Sequence, residues 1–148
     1  MSSSDELLIT FWEDQRRQAQ RSEDQRAVFA NIVLTISAIG FGFIAQNGAT
    51  SATLPISCGL VLLGLYGAVA SAKLHERYRL HMRQSAGFAV AMEELHPGLD
   101  LEAARRRGRD IHDKQHPWLR RIRLNLIWVS LHLSISAGGA ILVVVSLR

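Results

Sequence analysis

Between Arg26 and Lys73 the chain carries no Asp, Glu, Lys or Arg. That window holds two apolar runs, 27–46 and 54–72, joined by the polar link NGATSA. About twenty apolar residues is what a helix needs to cross the hydrocarbon core of a bilayer. A charged side chain at the bilayer centre costs roughly 2.5–3.5 kcal/mol on the insertion scale, which gives such runs a physical cause. A soluble core helix of this length would show a polar face, and neither run does. A third apolar run, 124–147, lies near the C-terminus. The expected fold is therefore an all-α membrane protein with three transmembrane helices, a hairpin plus a C-terminal span, carrying helical extensions. The bulk composition, 48 % hydrophobic and 20 % charged, conceals this because charged blocks alternate with charge-free ones.

The distribution of basic residues predicts an orientation. Arg16, Arg17, Arg21 and Arg26 precede the first span, mixed with about as many acids, and the link has no basic residue. About twelve basic residues lie from Lys73 to Arg123, and only Arg148 follows the third span. The positive-inside rule then places the N-terminus and the 73–123 segment in the cytoplasm and the C-terminus outside, at a bacterial inner membrane. Juxtamembrane arginine is explained by topology and anionic lipid, so the net charge of +4 is no argument for nucleic acid. The first span lies too deep in the chain for a cleavable signal. The one cysteine, Cys58, falls inside the second span, so neither a lipid anchor nor an internal disulfide is expected.

Ser3 and Glu6 have the spacing of a capping box, which predicts a helix over 4–26 that continues into the first span. Most of it is polar all round, and EDQR occurs twice, read as charge lacing rather than a repeat. Within the spans, small and polar residues recur at helical spacing: Asn31, Thr35 and Gly42 in the first, then Ser57, Gly64 and Ser71 in the second. Such stripes let helix backbones approach one another in lipid. They serve either to pack the hairpin or, in an oligomer, to line a polar path. Thr53 is placed to cap the second span, with Pro55 in its first turn.

No breaker follows the second span, so it is expected to run on as a helical extension, 73–95. Leu74, Tyr78, Met82, Ala89 and Met92 recur there at three- and four-residue steps. This stripe needs covering, by the polar N-terminal helix or by a second subunit. His96-Pro97-Gly98 ends it, and Asp100 with Glu102 predicts a new basic helix over 100–116. Arg105, Arg106, Arg107 and Arg109 on that helix, with Arg120, Arg121 and Arg123 before the third span, are candidates to grip phosphate on anionic lipid or on a soluble ligand. His112 and His116 stand four apart, a spacing that suits two ligands of a metal but lacks further partners in motif spacing. His132 stands near the middle of the third span, where an ionisable group is by default a functional candidate. It serves either as a hydrogen-bonding partner to Asn31, Thr35 or Tyr66, or in gating.

There is no Gly-rich phosphate loop, nucleophile elbow, Cys/His metal set or buried carboxylate pair, so neither an enzyme nor a cofactor is expected. The hairpin with its charged leading helix and the ASAKLHERYRLHMRQSAGFAVAMEEL extension resembles the SLATT-type membrane domains over roughly 20–96. Lys73, Glu76 and Tyr78 stand in a K-x-x-E-x-Y pattern, followed by Ala86, Phe88 and Leu95. The resemblance implies a bacterial antiphage or conflict effector that oligomerises and breaches the inner membrane when a cytoplasmic sensor signals infection. The alternative from the residues themselves is a non-catalytic anchor that recruits a cytoplasmic partner.

Overall fold

Four α-helices and one short 3-10 turn make up the computed structural model, which describes residues 3–98 and 100–148. The helices are α1 (Ser3–Asn47), α2 (Leu54–Leu95), α3 (Leu101–Gln115) and α4 (Leu124–Ser146), with the turn at Leu119–Arg121. The chain is all-α, and α1, α2 and α4 are each long and apolar enough to cross a membrane. Two compact units can be distinguished: one takes the chain up to Glu23 with Glu76–Arg123, the other Asp24–His75 with Leu124–Arg148.

In the Asp24–His75 and Leu124–Arg148 unit, the turn between α1 and α2 has a clear local cause. Gly48 adopts φ +80°, the left-handed conformation that lets a helix end, and its N–H bonds the Ile44 carbonyl at 2.8 Å. Thr53 is buried, but its hydroxyl faces back into the link rather than capping α2. It accepts the Thr50 N–H at 2.9 Å and lies 3.0 Å from the Gly48 carbonyl. The apolar core here is Val33, Ile44, Leu60 and Ile135, with Phe29, Leu34, Phe41, Ile56, Leu63 and Leu142 packed on it.

That core is thin, and the outward surface is more apolar than a soluble protein tolerates. Ile39 is 68 % exposed, Val69 69 % and Ile141 65 %, with Val28, Ile32, Ile36, Leu62, Leu65, Leu126 and Val144 also exposed. One such residue would mean nothing, but continuous apolar faces on three helices mark a surface built for lipid or partners. A membrane-embedded unit is the physical reading of this distribution.

In the unit formed by the chain up to Glu23 and Glu76–Arg123, α1 and α2 lie antiparallel. Phe11 stacks on Phe88 at 5.7 Å between ring centroids, His81 Nδ1 lies 2.8 Å from Gln15 Oε1, and His96 Nε2 lies 3.1 Å from Asp5 Oδ1. Ala19, Ser22, Ser85 and Ala89 are buried. Beyond its apolar start, the stretch of the N-terminal helix read from sequence as polar all round thus contributes small buried residues, Ala19 and Ser22. α3 is capped as its sequence predicts, with Asp100 Oδ1 accepting the Ala103 N–H at 2.8 Å, and it buries none of its residues.

Candidate functional site

The features of interest in the apolar unit are the small and polar residues of its three helices. On α1, the buried positions Arg26, Ala30, Val33, Ser37 and Ile44 follow helical spacing and form the inward face. On α2 the inward face is Ser57, Leu60, Gly64, Ala68 and Ser71, and on α4 it is His132, Ile135, Ser136 and Gly139.

Three glycines let α2 and α4 approach closely, two of them against backbone and one against a side chain. A Cβ at Gly64 would stand 2.5 Å from the Ser136 nitrogen and 2.7 Å from the His132 carbonyl oxygen. At Gly139 it would meet the Val61 nitrogen at 2.8 Å, and at Gly67 the His132 Nδ1 at 2.5 Å. No larger residue fits any of these places without moving a helix or the imidazole. This is how helices associate in lipid, where close van der Waals contact replaces the hydrophobic drive.

His132 is fully buried, with its ring seated over Gly67 and 6.3 Å from the Phe29 ring. Neither ring nitrogen meets a hydrogen-bond partner among the described residues. None of the partners suggested by sequence reaches it: Asn31 and Thr35 face outward, and Tyr66 is 63 % exposed with its ring against Phe29. The buried Oγ of Ser71, Oδ1 of Asn125 and Nε1 of Trp128 are likewise without partners among the described residues. The interior therefore holds unsatisfied donors and acceptors, and buried polar groups of this kind are normally paired to protein or to ordered water.

Arg26 is the residue that sequence reasoning did not single out. It is 2 % exposed, and its guanidinium lies 5.4 Å from the centre of the Trp128 ring, a cation–π contact. The signal was present in its spacing, four and seven residues before the buried Ala30 and Val33. A charge at the edge of an apolar run is already explained by topology, which masks that spacing.

The sequence-predicted residues thus separate into different environments. Ser57, Gly64, Ser71 and His132 are interior; Asn31 and Thr35 are exposed, and a Cβ at Gly42 would meet nothing within 4 Å. The Thr35 hydroxyl bonds the Asn31 carbonyl at 2.9 Å, while the Asn31 side-chain amide meets no partner among the described residues. Leu74, Tyr78, Met82 and Met92 are half-buried and Ala89 is buried, with Tyr78 and Met82 facing Ala19 and Gln20 across a shallow cleft. Arg105, Arg106, Arg107, Arg109, Arg121 and Arg123 are exposed, and the side chain of Arg120 lies outside the described residues. Arg106 and Arg109 converge on Glu102, at 3.7 and 3.1 Å. His112 and His116 pack ring to ring at 5.0 Å, and among the described residues no three of His, Cys, Asp and Glu form a metal-holding group.

No family model, curated protein or solved structure matches the chain.

Proposed function

We propose that the chain is a membrane protein that self-associates through the outer stripe of α1, Asn31–Thr35–Ala38–Gly42, and that its assembly opens a polar path through the bilayer. The observation that carries this reading is the outward-facing Asn31 amide, without a partner among the described residues, on a surface of Val28, Ile32, Ile36 and Ile39. An amide facing hydrocarbon without a hydrogen bond costs several kcal/mol, about 4–8 by transfer to cyclohexane. A second copy presenting the same stripe supplies the partner, and the open space at Gly42 admits a neighbouring backbone. His132 takes no part in this path, since it lies between α2 and α4 within each copy. In this reading the helices of the other unit receive the trigger, which must favour the open assembly over the closed one to shift it at all. The setting is that of a bacterial conflict effector, the role implied by the likeness to SLATT-type domains.

The test is dye release from liposomes containing the purified protein at increasing protein-to-lipid ratio. Release should rise steeply with ratio and fall at least tenfold when Asn31→Leu and Thr35→Leu are combined, with insertion unchanged on alkaline extraction. Undiminished release from the double variant would remove the α1 stripe from the path.

A second reading, a membrane anchor for a cytoplasmic partner, is favoured by α3, which buries nothing and displays four arginines. An anchor tolerates replacement of its spans by generic apolar helices with partner capture intact, whereas a self-associating pore does not.

A further inference from the structure

The unit formed by the chain up to Glu23 and Glu76–Arg123 contains a cavity of about 410 Å³ between the first turns of α1, the last turns of α2 and the start of α3. Its walls are Ile9 and Trp12 of α1, Ala89 and Met92 of α2, and Leu101 of α3. The volume falls within the roughly 300–1,000 Å³ range of small-molecule sites, which are also mainly apolar with a few polar groups.

The polar groups lining it differ in what they lack. Asp5 and His96 are engaged with each other at 3.1 Å, so the one acid in the lining is already met. Arg105 lines the cavity and has no ion pair or hydrogen bond among the described residues, unlike Arg106 and Arg109, which share Glu102. The Nε1 of Trp12 is buried and has no acceptor there. Among the described residues, one buried donor without an acceptor, Trp12 Nε1, and one guanidinium without a counter-ion thus border a small apolar space. A ligand complementary to it has an apolar body and one anionic head with two acceptor oxygens. A phosphate monoester carries a charge of about −2, more than the single uncompensated guanidinium in the lining offsets.

We propose that this cavity binds a medium-chain fatty acid, its carboxylate held by Arg105 and its acyl chain lying against Trp12 and Met92. The site is independent of the α1 stripe and stands whether or not the protein forms a pore.

The experiment uses the full-length protein in lipid nanodiscs, with Trp118→Phe and Trp128→Phe leaving Trp12 as the only reporter. Decanoate brominated on its chain should quench Trp12 saturably, while brominated decanol should quench at least tenfold more weakly. Affinity should rise about fourfold per methylene from octanoate to decanoate, as burial of each CH₂ in an apolar site implies. Arg105→Ala should weaken decanoate at least tenfold without altering decanol, and Met92→Trp, read as loss of binding by calorimetry, should fill the space. Unchanged helicity by circular dichroism separates these effects from misfolding. Non-saturating quenching that is equal for acid and alcohol means partition into lipid and overturns the proposal. So does a Trp12 signal that responds to protein concentration but not to decanoate, which would mark the cavity as a contact between copies.

Discussion

Individual residues here act mostly by being small. Gly64 and Gly42 both look like packing glycines in sequence, yet they differ in what surrounds them. A methyl at Gly64 would meet backbone atoms of α4, which cannot rotate away, whereas at Gly42 it would meet nothing within 4 Å. Gly64→Ala should therefore destabilise the protein by about 1–3 kcal/mol, the usual range for overpacking, while Gly42→Ala should stay within about 0.5 kcal/mol. Denaturant titration in micelles at high dilution, followed by Trp128 fluorescence, distinguishes the two. Gly67 presents a related case, since its hypothetical methyl meets the His132 ring rather than backbone. Removing the ring removes the clash, so Gly67→Ala should cost less in a His132→Ala background than alone. The coupling should fall within roughly 0.5–3 kcal/mol, as for residues in direct contact; strict additivity in the same titration would mean the ring does not sit over Gly67.

Whole elements show where local chemistry suffices and where it does not. α3 starts at a sequence-visible cap, with the Asp100 carboxylate on the Ala103 N–H, and no buried face adds to its stability. Asp100→Ala should cost about 1 kcal/mol, and because α3 buries nothing the loss should be local. Hydrogen exchange would show faster amides across 101–115 with α4 unaffected; equal acceleration in both helices would contradict a local cap. α1 teaches the opposite lesson. Its span was legible from the charge-free run, and so was the approximate end at the Asn47-Gly48 turn. The inward direction was not legible, because Asn31, Thr35 and Gly42 form as regular a stripe as Arg26, Ala30, Val33 and Ser37. Helical spacing identifies residues that share a face; it does not say whether that face meets a neighbour.

For the molecule as a whole, the three long apolar helices and their exposed apolar surfaces make the membrane the natural solvent. The proposed orientation has the link outside and the basic 73–123 segment inside. In a Cys58→Ala background, Ser51→Cys on intact cells should react with an impermeant maleimide, and Gly108→Cys should react only after lysis. The reverse pattern would invert the topology and the side from which any trigger arrives.

The number of helices long and apolar enough to cross a membrane and the N-terminal cap of α3 were determined by the sequence itself. They depend on free energies summed over local stretches: transfer of some twenty residues into hydrocarbon, or one carboxylate meeting nearby N–H groups. What only the tertiary structure decided is which side of each helix faces in. The polar α1 stripe lies outward, Arg26 is buried against Trp128, and small residues such as Ala19 and Ser85 form a packing face that no hydrophobic pattern announces. Close approach depends on the shape of two helices at once, and Gly64 beside Ser136 acquires its meaning only when residues 72 positions apart are brought to the same place.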